Sequence, residues 1–174
     1  MRKKHKILVV DDEQKVLSSL TRLFKRNNKL TLITTDSPMK ALKIIEKTNV
    51  DLIITDQRMP QMTGVELLER ILKKYPHIIT IILTGYSDID IVLEAINEIG
   101  VYKFILKPWE NEDLYWTIVR ALEMLEVIDE NKKMHYELKK REAYMRKLEN
   151  EYPGISRVKK GVNGSVIIDD MPGV

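Results

Sequence analysis

Four apolar runs in this 174-residue chain stop on side chains able to handle charge. "ILVV" runs into Asp11, Asp12 and Glu13, "DLIIT" into Asp56, "TIIL" into Thr84, and "KFIL" into Lys107 followed by Pro108. Carboxylates brought to about 4 Å repel by about 4 kcal/mol per pair at an effective dielectric of about 20, so a cluster this acidic wants a cation. Oxygen-only donors, few in number and with no His or Cys nearby in sequence, suit Mg²⁺ (or Mn²⁺), which leaves positions for a phosphoryl oxygen. A divalent cation and a lysine together offset the charge of a phosphoryl group in transfer, and one carboxylate can then act as the nucleophile. Asp56 stands alone and suits that role, whereas Asp11 and Asp12 form a pair suited to the metal. Singly, each residue has an ordinary use: Asp or Thr after a strand caps a helix or shapes a turn, and Lys-Pro is surface loop. Their joint occurrence at four strand ends points to a phosphoryl-transfer site.

Such a gathering needs a scaffold that brings distant strand ends together. Apolar, Ile/Val-rich runs of strand length recur at Lys6 to Val10, Leu30 to Thr34, Val50 to Thr55, Ile78 to Leu83 and Tyr102 to Leu106, and each reads as a buried strand. Between them apolar residues recur at helical spacing, as in Val16, Leu20, Leu23 and Phe24 or Val65, Leu68, Ile71 and Leu72. Start and stop signals agree: Ser37 before Pro38 suits an N-cap, Thr63 with Glu66 matches a capping box, and Gly100 suits a left-handed helix end. Strands alternating with helices through short loops imply parallel pairing with right-handed crossovers, hence an α/β, flavodoxin-like, doubly wound (βα)5 domain with a five-stranded parallel sheet. In such a sheet the ligand crevice lies at the carboxyl ends of the strands, where the strand order reverses. That is where the polar residues stand.

The helical pattern that starts near Asn111 continues to about Glu149 without Pro or Gly, far beyond the mean helix length of about 11 residues. Leu114, Ile118, Leu122 and Leu125 are placed to pack on the sheet. Beyond them one heptad register reads Val127, Asn131, Met134, Leu138, Arg141, Met145, Leu148, Tyr152, which suits a two-stranded coiled coil with polar positions setting register. A solvated helix with charges on its other faces fits the same residues. The expected divisions are therefore 1–125 for the α/β domain, 126–150 for the helical extension and 151–174 for a short tail with β-like runs around Asn163-Gly164, a hairpin turn pair.

Composition narrows the function. Formal net charge is +3 with basic and acidic residues interspersed, so no field points to nucleic acid or an anionic membrane. The absence of cysteine removes disulfides, thiolate metal sites and thiol nucleophiles and fits a reducing, cytoplasmic setting. No run approaches the roughly 18 apolar residues of a membrane span, and the apolar run Ile7 to Val10 is too short for a signal peptide.

The pieces "ILVVDDE", "DLIITDQRMPQMTG", "IILTGYSD" and "YKFILKPW" closely resemble the receiver domain of two-component response regulators over residues 1 to about 125. The resemblance implies that Asp56 is the phosphoacceptor for a cognate histidine kinase, that Asp11, Asp12, Asp56 and the backbone carbonyl of Arg58 hold Mg²⁺, and that Thr84 and Lys107 contact the phosphoryl group. Phe104 takes the place of the switch aromatic, and the Lys107-Pro108 bond is implied to be cis. The segments "DQRMP" and "TGYSD" resemble receivers often joined to HD-GYP phosphodiesterases or other non-DNA outputs. The chain departs from that subset in having only His5, His77 and His135, with no His-Asp pair. A helix-turn-helix effector needs about 50 or more further residues with their own core, more than the segment after the coil supplies, so no direct DNA binding is expected. The expectation is a response regulator without a separate catalytic output domain. It would pair as a homodimer through the long helix or the strand-four to strand-five face. Three other readings share the architecture or the carboxylates. A flavin or nucleotide binder needs a Ser/Thr/Gly-rich loop after strand one, where Asp11-Asp12-Glu13 would repel phosphate. An aspartate-nucleophile phosphohydrolase usually carries its two acids two residues apart after strand one. A coiled-coil adaptor would take up no phosphate.

Overall fold

The parallel ladder between β1 (His5–Val10) and β2 (Leu30–Thr35) opens a five-stranded sheet that continues on the other side through β3 (Leu52–Asp56), β4 (Ile79–Thr84) and β5 (Lys103–Leu106), in the order β2-β1-β3-β4-β5. The computed structural model describes residues 4–153, 159–160 and 166–167. Helices α1 (Gln14–Phe24), α2 (Pro38–Lys47), α3 (Gly64–Lys74), α4 (Ile89–Ile99) and α5 (Asn111–Glu151) supply the crossovers and the exit. This is the doubly wound, flavodoxin-like architecture, and its strand order reverses between β1 and β3.

Two apolar clusters, one on each face, hold the sheet. Ile7, Val9, Leu52, Ile54, Ile81 and Leu83 meet Leu17, Leu20 and Phe24 of α1 and Leu114, Ile118, Ala121, Leu122 and Leu125 of α5. Leu8, Val10, Ile53 and Ile82 meet α2, α3 and α4 through Ala41, Ile45, Leu67, Leu68, Ile71, Val92 and Ala95. Strands β3 and β4 are buried along their whole length, which is why they read as continuous apolar runs. Each fully buried Leu or Ile contributes about 2 kcal/mol of transfer free energy.

Local signals account for most boundaries. The Thr63 hydroxyl accepts from the Glu66 N–H while Glu66 reaches back to the Thr63 N–H, the reciprocal capping box that the spacing predicts. Gly100 ends α4 at φ 76, a conformation that costs other L residues. Three details differ from expectation. Ser37 occupies the N-cap of α2 but its side chain makes no capping bond there, so Pro38 and the burial of Ala41 and Ile45 carry that start. Strand β2 lies at an edge and is half-exposed along most of its length, not buried. Strand β3 begins at Leu52, because the N–H of Asp51 donates to the Lys6 carbonyl at 2.9 Å while its carboxylate accepts from the Lys6 N–H at 2.8 Å.

The chain divides into two compact units, Met1–Glu126 and Val127–Val174. In the second, α5 residues Val127, Met134, Leu138 and Met145 are exposed. There β6 (Lys159–Lys160) and β7 (Val166–Ile167) pair antiparallel, and the Asn163-Gly164 turn expected between them lies outside the described residues. No described helix is long and apolar enough to cross a membrane.

Candidate functional site

Parallel register does the assembling. Val10 stands opposite Thr55, so the next residues, Asp11 and Asp56, emerge side by side at the reversal of strand order. Asp56 stands opposite Leu83 and Thr84 opposite Leu106, which brings Thr84 and Lys107 to the same rim. The Lys107 N–H donates to the Thr84 carbonyl at 2.7 Å, fixing the loop that carries the ammonium. The Lys107-Pro108 peptide bond is cis.

At the centre Lys107 Nζ lies 2.6 Å from Asp56 Oδ1, 3.1 Å from Asp11 Oδ2 and 4.0 Å from Glu13 Oε1. Asp11 is fully buried and the Asp56 side chain is 9% exposed, so one ammonium offsets two carboxylates removed from water. Burial pushes the Asp11 carboxyl up from its ordinary value, against the hydrogen bond from the Glu13 N–H (2.8 Å) and the charge of Lys107. Burial works against the charge on Lys107 too, but the hydrogen bond to Asp56 and the charges of Asp11 and Asp56 outweigh it and raise the lysine. The second oxygen of Asp56, Oδ2, accepts from the Arg58 N–H at 2.9 Å, which orients the carboxylate.

The other predicted residues take their places around this cluster. Thr84 is buried beside it, its hydroxyl donating to the Gly85 carbonyl at 3.2 Å. Phe104 is half-buried and packs against the α2–α4 side of the core. Asp12 is exposed on the turn after β1, next to the cluster but not part of its ion pairs.

Four further residues, beyond those picked out from the sequence, shape the site. Gln57 is buried, with its Oε1 accepting from the Val65 N–H at 3.1 Å, which ties the strand end to α3. Gly64 lies so close to that strand end that a Cβ there would overlap the Asp56 carbonyl. "DQRMPQMTG" held both signals, a Gln where the apolar run ends and a Gly opening a helix. Ser87 and Asp88 belong to a 3-10 turn, Tyr86–Asp88, between β4 and α4. The Arg58 guanidinium holds Asp88 in two hydrogen bonds, Nε to Oδ2 at 2.6 Å and Nη2 to Oδ1 at 2.7 Å, and Nη2 also reaches Ser87 Oγ at 2.9 Å. That hydrogen bonding holds the Asp88 carboxyl below its ordinary value.

Residues 7–119 match the family model described as "Response regulator receiver domain". The chain belongs to the response regulator receiver domain family. This receiver is 36% identical over 117 residues to the hydrogenase transcriptional regulatory protein HoxA of Cupriavidus necator, a match that covers 67% of the chain and 24% of HoxA. Its fold matches an uncharacterized protein from Neptuniibacter caesariensis (TM-score 0.70, 40% identity, 74% of this chain and 95% of that one). It also matches the signal receiver domain of an HD domain-containing protein from Pseudomonas fluorescens Pf-5 (TM-score 0.68, 34% identity, 72% of this chain and 99% of that one). The chain thus spans about a quarter of the length of HoxA.

Receiver domains generally bind Mg²⁺ at the phosphorylation site and interact with histidine kinases or phosphotransferases. The donor chemistry of this receiver fits such an ion: Asp11 and Asp56 are buried oxygen donors, and the Arg58 carbonyl and Asp12 stand on the adjoining turns. Among the described residues no three His, Cys, Asp or Glu side chains are gathered at ligating spacing. Lys107 holds the centre.

Proposed function

We propose that Asp56 is the phosphoacceptor of this receiver and that Asp11, Asp12, Asp56 and the Arg58 carbonyl hold the divalent cation. The observation that carries the reading is the Lys107 ammonium held between two buried carboxylates, 2.6 Å from Asp56 and 3.1 Å from Asp11. A carboxylate so held is oriented and next to a cation, which suits nucleophilic attack on phosphorus. An Asp56 oxygen forms the new P–O bond as the P–N bond to the donor's phosphohistidine breaks, and the electron pair leaves on the imidazole nitrogen. Lys107 offsets charge on the phosphoryl oxygens, and Thr84, by turning its hydroxyl from the Gly85 carbonyl, donates a hydrogen bond to one of them. When bound, Mg²⁺ supplies Lewis-acid charge neutralisation at the same oxygens. The inward turn of Thr84 leaves room for Phe104 to follow, altering the face formed by α4 and β5. A shift of a few kcal/mol between two preexisting states suffices for that response.

The reading extends to organisation. Residues 1–125 act as the receiver, 126–150 as a coiled coil that pairs two copies, and 151–174 as a short appended segment; the output passes through contacts, without separate catalysis or direct DNA binding by this segment. Exposed Val127, Met134, Leu138 and Met145 at heptad spacing support the pairing, and the cysteine-free composition supports work in the cytoplasm.

Incubation with acetyl phosphate and Mg²⁺ followed by intact mass tests the central assignment. The wild type is expected to gain one phosphoryl group and Asp56→Asn none; equal gain by both sinks it. Sedimentation of the full chain carrying Met134→Glu and Leu138→Glu tests the coil. Monomeric behaviour is expected where the wild type is dimeric, and an unchanged state removes the coil as the pairing element.

A further inference from the structure

The Arg58–Asp88 pair joins the turn that follows Asp56 to the N-cap of α4. Asp88 stands at the N-cap of α4, where an Asp side chain ordinarily accepts from the N–H groups of the first turn, here those of Asp90 and Ile91. It makes no such bond. Its carboxylate, only 10% exposed, is instead engaged on both oxygens by Arg58. The start of α4 is therefore held by a cross-loop ion pair in place of its own cap. On the other side, the Arg58 N–H already bonds Asp56 Oδ2, so the residue that carries the guanidinium, 69% exposed, is anchored at the phosphoacceptor carboxylate. Guanidinium groups bind phosphoryl oxygens in the same forked geometry that they use for carboxylates.

Resting on the phosphoacceptor reading of Asp56, we propose that the Arg58–Asp88 bridge is a latch on the unphosphorylated state that opens by exchange of partners. Arg58 moves to the phosphoryl oxygens on Asp56, and the released Asp88 turns to cap the first turn of α4. Neither group is left unpaired by the move, so the latch has two satisfied positions, as a two-state element requires. The turn Tyr86–Asp88 follows Thr84 after the single residue Gly85 and carries Tyr86, 73% exposed, so release of Asp88 resets the surface between β4 and α4. Arg58 is on this account a positioning residue before phosphorylation and a phosphoryl-binding one after it.

Two full-length variants separate the exchange from simple loosening. Asp88→Asn preserves size and capping ability while weakening the hold on Arg58. Arg58→Ala alters an exposed side chain and opens the same latch, but removes the group that would move to the phosphoryl. Without phosphorylation, amide exchange of the turn residues 86–88 is expected to rise about tenfold in both, while the N–H groups of Asp90 and Ile91 exchange more slowly under the released cap. After acetyl phosphate and Mg²⁺, the phosphoryl half-life is expected to lengthen about threefold in Asp88→Asn and shorten about threefold in Arg58→Ala. Unchanged exchange at 86–88 in either variant overturns the latch. Half-lives that stay put, or shift in the same direction in both variants, overturn the exchange of partners. A wild type that gains no phosphoryl mass overturns the phosphoacceptor reading and with it this proposal; a wild type that gains it while the variants miss these changes removes the latch alone.

Discussion

Strand β3 has a buried aspartate at each end, Asp51 just before it and Asp56 as its last residue, and both are 6% exposed. Asp51 is bound to fixed groups. It exchanges two hydrogen bonds with the backbone of Lys6, and its carbonyl accepts from the Ile79 N–H at 3.1 Å. The His5 ring lies nearby, its Nδ1 3.7 Å from Asp51 Oδ2 and its Nε2 2.9 Å from Glu126 Oε1. Asp56 has one backbone donor, Arg58, and otherwise faces the tip of a flexible lysine and loops that end on solvent. Residue type and burial are the same at both ends. The difference lies in whether the partners are main chain, which holds its place, or side chains that can trade one oxygen for another.

The largest effect expected from this contrast separates two conservative substitutions. Asp56→Asn should abolish phosphoryl uptake by intact mass. Asp51→Asn should retain it and instead lower stability to urea by about 1–3 kcal/mol, the cost of weakening a buried charged hydrogen bond. A folded Asp51→Asn protein that failed to take up the phosphoryl group would break the distinction. Next in size is Lys107→Met, which keeps the apolar stem and leaves Asp11 and Asp56 facing each other. Breaking a buried ion pair costs about 3–5 kcal/mol, and because Lys107 is 24% exposed the loss should be nearer 2–3 kcal/mol in cation-free urea melts. Millimolar Mg²⁺ should restore a larger share of stability to this variant than it adds to the wild type.

The smallest effect is a pH dependence. Burial opposes the charge on Lys107, but its hydrogen bond to Asp56 and the nearby acids raise its value in the folded state. Its contribution to stability is therefore complete below the ordinary lysine value of 10.5 and lost as pH rises through the higher folded value. Asp11 has a profile of the same sign at lower pH: raised by burial, it favours folding when protonated, and that contribution fades as pH rises past the ordinary 3.8. Urea midpoints of wild type and Lys107→Met should converge above 10.5 in cation-free buffer; parallel curves there would show that the lysine charge does not couple to folding.

How far these features can be read from sequence depends on the distance over which each is decided. An apolar run ending on an acid, a Thr and Glu at capping-box spacing and a Gly at a helix end are local, and the strands, the capping box and the φ 76 turn follow from them. The central cluster is legible one step further, because parallel register turns neighbouring strand ends into neighbouring side chains. The half-exposure of β2 was not legible, since an edge strand and a central one can carry the same Leu/Ile/Thr run. Nor was the Arg58–Asp88 bridge. Nothing in "DQR" or "YSD" shows that a 3-10 turn will bring two side chains 30 positions apart within 2.6 Å.

The sequence separation of the central ion pairs bears on how the protein is made. Lys107 meets an aspartate 96 positions earlier, and the strand that positions it is the last of the five to be synthesised. A chain emerging from the ribosome at about 5–20 residues per second passes through every partial length before that lysine is available. Until β5 pairs with β4, Asp11 and Asp56 have no ammonium between them, and close approach of the two is penalised rather than rewarded. The ion-paired cluster is therefore complete only late, once the last strand of the sheet has paired.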